Sequence, residues 1–332
     1  MFIKPYVTAF LSTLILGTII ALSANSWLTA WLGLEINLIR IIPLLLTNQN
    51  NKATERAIKY FLPQAIASVI LIASFIIRYI SSSFLLFSGE SLLISASLII
   101  KLGVAPFHLW FPQVLITAPW FQAFLILTWQ KIAPFILIIH FNGGELIFIA
   151  ILASGIVGAL GGLNQTNVKL ILTYSSIAHS GWLLTLSSLS LKFWVNYFLI
   201  YSLNTLILVF LIKNFKINNL KQLNIARINP IQKYSVLVTV LSLGGLPPFL
   251  GFYAKLSTII ILLNHSILII LLILLTSSLI SLFYYLKMIY NLLIINSLEP
   301  KIKISTTNIK ESYTLPAICF GVAIRPALIL LT

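Results

Sequence analysis

Apolar residues run in blocks of about 20 along most of this chain, divided by short polar or Pro/Gly punctuation rather than by alternating polar positions. Blocks of that length are what a helix needs to cross a bilayer. The pattern predicts helices near residues 6–23, 27–46, 57–79, 91–116, 120–140 and 145–163. Five more follow near 168–188, 193–213, 234–262, 266–294 and 313–331. The fold class is therefore an all-α polytopic membrane protein of about 11 transmembrane helices. Two of them, 91–116 and 234–262, contain internal Gly/Pro breaks.

The first block has one lysine, an apolar core and a small-residue LSA, which is also how a secretory signal looks. Its apolar core is too long for one, and ten further blocks follow, so it reads as the first membrane helix. No Arg-rich amphipathic presequence is seen, so import after cytosolic synthesis is not expected.

Composition agrees with the pattern. Of 332 residues 59% are hydrophobic and 8% charged, and mean hydropathy is +1.05. A soluble domain has about a quarter of its residues charged. No polar stretch is long enough for a soluble domain, so residues 1–332 form one membrane domain. The single cysteine, Cys319, excludes an internal disulfide or a cysteine-ligated cluster.

The net charge of +15 would suggest nucleic acid in a soluble protein, but its distribution points to the membrane. With eleven spans, one side holds Lys4, Lys52, Arg56, Lys59, Lys169, Lys213, Lys216, Lys221, Arg227, Lys233, Lys301, Lys303 and Lys310. The other side holds only Arg78 and Lys192. That bias orients the N-terminus inward and the C-terminus outward.

Residues 102–107 read LGVAPF and residues 243–249 read LGGLPPF. Both sit mid-span and both combine glycine with proline. Such residues free backbone groups from the helix ladder, which hydrocarbon tolerates only where protein or a water-lined cavity satisfies them. Paired interrupted spans in two halves point to a transport site. The broken spans are the fourth and the ninth, an odd offset of five, so the second unit is expected to be inverted relative to the first. The repeats would cover about 6–140 and 145–294, with the last helix near 313–331 outside them.

Charge inside the spans marks the candidate chemistry. A charged side chain at helix centre costs about 2.5–3.5 kcal/mol on translocon scales, so it is kept for a reason. Glu35 lies in the apolar run WLGLEINLIRIIP. Arg40 is a poor partner on the same helix, because five residues is about 140° around the axis, and it is near enough to an end to snorkel, as are Lys287 and Arg325. Lys101, Lys131 and Lys255 lie deep within spans and cannot. Burial favours the neutral amine while a nearby carboxylate favours the cation, so a lysine held between the two changes protonation when its neighbour does. One glutamate, three lysines and two broken helices read as a chain of proton sites.

His108 follows the first break, and His179 lies in YSSIAHSGW beside Tyr174, Ser175 and Ser176. Both are relay candidates, against the plainer reading of a neutral histidine satisfied by a hydroxyl. His140 and His265 fall at span ends and are expected at the interface. No histidine pair has metal spacing on one helix, and no glycine-rich phosphate loop follows a strand, so no metal or nucleotide site is expected.

These same stretches carry a resemblance. WLGLEIN, TERAIKYFL, KLGVAPFHLWFP, TWQKIAP, GGLNQT, YSSIAHSGW and LSLGGLPPFLGF occur in order between about residues 23 and 290. With them the chain resembles the antiporter-like membrane subunits of respiratory complex I, the mitochondrial NADH–ubiquinone oxidoreductase, and the chain 2 family in particular. The resemblance implies antiporter-like inverted repeats and a proton-translocating role in the inner mitochondrial membrane, with the N-terminus on the matrix side and the C-terminus on the intermembrane-space side. It places the family's key glutamate on Glu35 and its membrane lysines on Lys101, Lys131 and Lys255. It implies no cofactor in this chain, with NADH, FMN, iron–sulfur clusters and ubiquinone in other subunits. Other membrane-arm subunits and lipids are the implied partners, and no nucleic acid.

Two readings compete with it. One is a free-standing or multi-subunit cation/proton antiporter with the same broken helices. The other is a structural subunit whose polar residues only tie helices together. Three buried lysines weigh against the latter, since hydroxyls or amides suffice for that, at about 0.6 kcal/mol each.

Overall fold

A computed structural model describes residues 5–47, 50–81, 89–141, 145–215, 217–225 and 230–293. Among them the chain is helical, with one isolated bridge between Asn167 and Asn219. The helices are α1 (Pro5–Leu22), α2 (Trp27–Leu45), α3 (Asn51–Ser81), α4 (Gly89–Leu102), α5 (Trp110–Thr117), α6 (Trp120–Leu127) and α7 (Trp129–Phe141). They continue as α8 (Glu145–Leu163), α9 (Val168–Leu189), α10 (Leu191–Phe215), α11 (Leu220–Ile225), α12 (Pro230–Gly244), α13 (Leu250–Asn264) and α14 (Leu268–Leu293). Among the described residues six helical stretches of 18 or more residues are apolar enough to cross a membrane, including Trp27–Leu45 and Leu268–Leu293. Of the other expected spans, α1 (Pro5–Leu22) is apolar, and those near 91–116 and 234–262 are each divided by a break. The helix expected near 313–331 lies outside the described residues.

Both breaks are helix ends of one design. At the end of α4, Gly103 takes φ +65°; its N–H bonds Ile100 O at 3.1 Å and the Val104 N–H bonds Ile99 O at 3.3 Å. At the end of α12, Gly245 takes φ +79°; its N–H bonds Ser242 O at 3.1 Å and the Leu246 N–H bonds Leu241 O at 3.3 Å. This is the Schellman pairing, in which a left-handed residue turns the chain back on the helix it ends. Glycine is needed because an L side chain is disfavoured at such φ. The Ala105–Pro106 peptide in the first break is cis.

The helices group into two compact units. Among the described residues the first takes those up to Ser154 together with Leu183–Leu191, the second Gly155–Trp182 and those from Lys192 onward. In the first, α1 and α2 approach closely because Gly33 faces the Ala21 backbone and Gly17 faces Asn37, the small-residue packing expected where lipid supplies no hydrophobic drive. Ser26 caps α2 through a capping box with Thr29. α3 packs on α2, α4 and α5, while α7 packs on α1, α2, α4 and α6. In the second unit, α14 packs on α11, α12 and α13.

Buried hydroxyls rarely need a partner on another helix. Ser97, Ser154 and Ser180 return theirs to carbonyls three residues back, Ile94 O at 2.7 Å, Ile151 O at 3.0 Å and Ile177 O at 2.6 Å. That habit lets serine-rich segments stay apolar outside.

Candidate functional site

In the first unit α7 packs against α2 and α4, the helices that carry Lys131, Glu35 and Lys101. Lys101 ends α4 one residue before its last, where the helix dipole favours a cation. Glu35, on α2, is the acid whose charge acts on Lys101. The two are not in a close ion pair, and Glu35 Oε2 is buried without a hydrogen-bond partner. Lys131, near the start of α7, is 2% exposed and lies over the Phe111 ring, Nζ 5.1 Å from its centroid. A cation on an aromatic face regains part of its lost hydration. Phe111 and Trp110 are in turn pressed against Gly103, so the first break and Lys131 share one wall.

Several amides hold this arrangement, and sequence reasoning missed them. Gln64 Nε2 donates to Lys101 O at 3.1 Å, satisfying a carbonyl that the end of α4 leaves over. Tyr60 Oη donates to Gln130 Oε1 and Gln130 Nε2 donates to Asn37 Oδ1, both at 3.3 Å. This thread fixes the residue beside Lys131 to α3 and to α2. Arg56, expected among the bases of a loop, is 3% exposed. Its guanidinium donates to Thr117 O at 2.6 Å and to Leu45 O, the last carbonyls of α5 and α2. Gln122 Nε2 adds a bond to Leu44 O at 2.6 Å.

His108 is not drawn into that group. It is half-buried in the loop after the first break, with Nδ1 3.3 Å from Pro106 O.

The second unit holds Lys255 and His179. Lys255 lies on α13, beyond the second break, and reaches back to donate to Gly244 O at 2.9 Å. Its stem lies against Gly245, where any side chain would meet it. His179 was expected among the hydroxyls of its own helix. Ser175 and Ser176 instead bond the carbonyls of Leu172 and Thr173 at 2.9 and 2.7 Å, and Tyr174 packs on Gly161. The partner of His179 Nδ1 is the Tyr197 hydroxyl from α10, at 2.9 Å, with the Tyr201 ring 5.2 Å from the imidazole. No signal near residue 179 points to Tyr197, because its register on α10 decides the contact.

Among the described residues no three His, Cys, Asp or Glu side chains cluster closely enough to hold a metal ion.

A family model described as NADH:quinone oxidoreductase/Mrp antiporter, TM, matches residues 24–281. NADH-ubiquinone oxidoreductase chain 2 of Anopheles gambiae is 42% identical over 292 residues, 86% of this chain and 86% of that protein. The Locusta migratoria chain of the same name is 38% identical over 291 residues, covering 86% and 84%. The chain belongs to the NADH-ubiquinone oxidoreductase chain 2 family. A subunit of respiratory complex I from Thermus thermophilus has the same fold, with a TM-score of 0.83 at 24% identity over 99% of this chain and 80% of that one. Membership of the chain 2 family favours the complex I reading over a free-standing antiporter, since the family model alone also spans the Mrp antiporters.

Proposed function

We propose that protons pass through this chain, a membrane-arm subunit of NADH:ubiquinone oxidoreductase, by way of two buried groups. Glu35, Lys101 and Lys131 form one, and His179 and Lys255 the other. The observation that carries the reading is the Glu35–Lys101 pair. Lys101 is buried at a helix break, the part-buried Glu35 acts on it through its charge with one oxygen buried, and the two are not locked in a close ion pair. A tightly bonded pair would be a structural tie and would resist titration. A coupled pair held apart exchanges charge. When Glu35 takes a proton, the ammonium on Lys101 loses its stabilising neighbour and its proton is released more easily. When Lys131 takes one, like-charge repulsion does the same.

The chain holds no redox group in this reading. NADH, FMN, iron–sulfur clusters and ubiquinone belong to other subunits, and their energy reaches the buried groups through neighbouring membrane-arm chains. The basic loops face the matrix, with the N-terminus there and the C-terminus in the intermembrane space. Lipid covers the outer helix faces, and nucleic acid has no part.

The test compares Lys101→Met, Glu35→Gln and the double variant in reconstituted vesicles, with NADH-driven proton uptake normalised to assembled complex. Each single change should lower pumping about tenfold or more, and the double change should cost little beyond the larger single one. Additive losses, or normal pumping in either single variant, would show that the two do not act as one site.

A further inference from the structure

We infer that Tyr285 is the junction through which protons pass between Lys255 and His179 in the second unit. The proposal rests on the reading of those two residues as proton sites and adds the side chains that join them.

Tyr285 on α14 stands between the two. Its ring packs beside Gly244, the residue whose carbonyl accepts the Lys255 bond. On its other side it acts electrostatically on Tyr197 and Tyr201, of which Tyr197 bonds His179 Nδ1. Tyr284 lies next to it, ring centroids 4.7 Å apart, admitted by Gly162, where a side chain would strike its ring. All four tyrosines are buried. Four phenols in one apolar interior are costly unless their hydroxyls have a use.

The hydroxyls of Tyr284 and Tyr285 are buried and neither has a partner at full hydrogen-bond geometry, although they act on each other, and Ser281 and Ser175 lie near enough to act on Tyr284 and Tyr285. An unmade bond of that kind costs about 1–3 kcal/mol, so a structural role alone would favour phenylalanine at both positions. A hydroxyl free to accept and donate is what a relay needs, since one saturated by fixed partners must break a bond before it conducts. Water bridging Tyr285 to its neighbours completes the path.

The transfer balances. The Lys255 ammonium gives one proton toward the Tyr285 oxygen as the proton already there leaves toward Tyr197. Tyr197 passes its own to His179 Nδ1, in the tautomer whose Nε2 is protonated. Lys255 ends neutral, His179 ends as imidazolium, and both tyrosines end as they began.

Tyr285→Phe keeps the ring against Gly244 and removes only the hydroxyl. In the reconstituted complex it should assemble normally, lower the protons moved per electron pair severalfold, and change the solvent isotope effect on pumping, which a packing role would leave alone. Tyr290→Phe on the exposed side of α14, where Tyr290 is 67% exposed, should match wild type. Ser175→Ala serves if Tyr285→Phe reduces assembly, and should give a smaller loss of the same kind. Wild-type pumping from Tyr285→Phe or, where that fails to assemble, from Ser175→Ala, beside a poor Lys255→Met, would overturn the junction and leave the proton sites standing. Wild-type pumping from Lys255→Met would overturn both.

Discussion

The two helix breaks share a backbone and differ in how each acquires its lysine. Gly103 and Gly245 both adopt left-handed φ and both close a Schellman pairing. Yet the first break carries Lys101 within the helix that ends, facing Glu35, and its spare carbonyl is taken by Gln64. The second draws Lys255 back from the following helix onto the carbonyl of Gly244. A broken helix presents a negative end inside the membrane, and a lysine there offsets it whichever helix delivers it. The backbone device is what the two sites have in common, and the charge partner is where they diverge.

The glycines should separate them most sharply. A methyl group at Gly103 would press on Trp110 and Phe111, whereas at Gly245 it would meet the flexible end of Lys255. Both changes incur about 1–2 kcal/mol for the left-handed backbone, but only the first meets rings that cannot move aside. Gly103→Ala should abolish most assembled complex on native gels. Gly245→Ala should leave a substantial fraction that pumps poorly, because the displaced lysine loses its carbonyl. Equal assembly of the two would break the comparison.

Of intermediate size is the contrast between the lysines. Lys255→Met removes both a proton site and the bond to Gly244 O, so it should lower the melting temperature of the complex as well as pumping. Lys101→Met should lower pumping with a smaller thermal shift. Thermal unfolding beside vesicle assays reads both quantities, and the reverse order of shifts would contradict the roles assigned here.

Gln64→Leu should have the smallest effect. It leaves the Lys101 carbonyl without its side-chain donor, at a cost of about 1–3 kcal/mol. The expected result is a modest thermal shift with pumping per electron largely retained. A pumping defect as large as that of Lys101→Met would place Gln64 among the proton sites.

Most of the helices among the described residues, the two breaks and the position of the four charged residues inside helices were legible because each violates or obeys hydropathy strongly. Glu35 and Lys131 stand out in apolar runs whatever their surroundings. Tyr197, Tyr285, Gln64 and Gln130 did not, because a tyrosine or amide in an apolar helix reads alike whether it faces lipid or a neighbour. Which way it faces depends on rotation about the helix axis, set by distant partners such as Gly162 and Gly244. Arg56 was misplaced for a different reason: α3 begins at Asn51, ahead of its apolar run, so a base counted in a loop lies inside the helix and caps two others. His108 lies next to the break in sequence, yet the loop holds it half-exposed against Pro106 O.

The central claim is that buried lysines, and not charge in general, move the protons. Lys131→Met keeps the length and apolar stem of the side chain and removes the site over Phe111. Lys287→Met removes a cation near the end of α14 that is only part-buried. The decisive measurement is protons translocated per NADH oxidised in reconstituted vesicles, normalised to assembled complex. The account predicts a severalfold lower ratio for Lys131→Met and a wild-type ratio for Lys287→Met. A wild-type ratio from Lys131→Met, or equal losses from both, would contradict it.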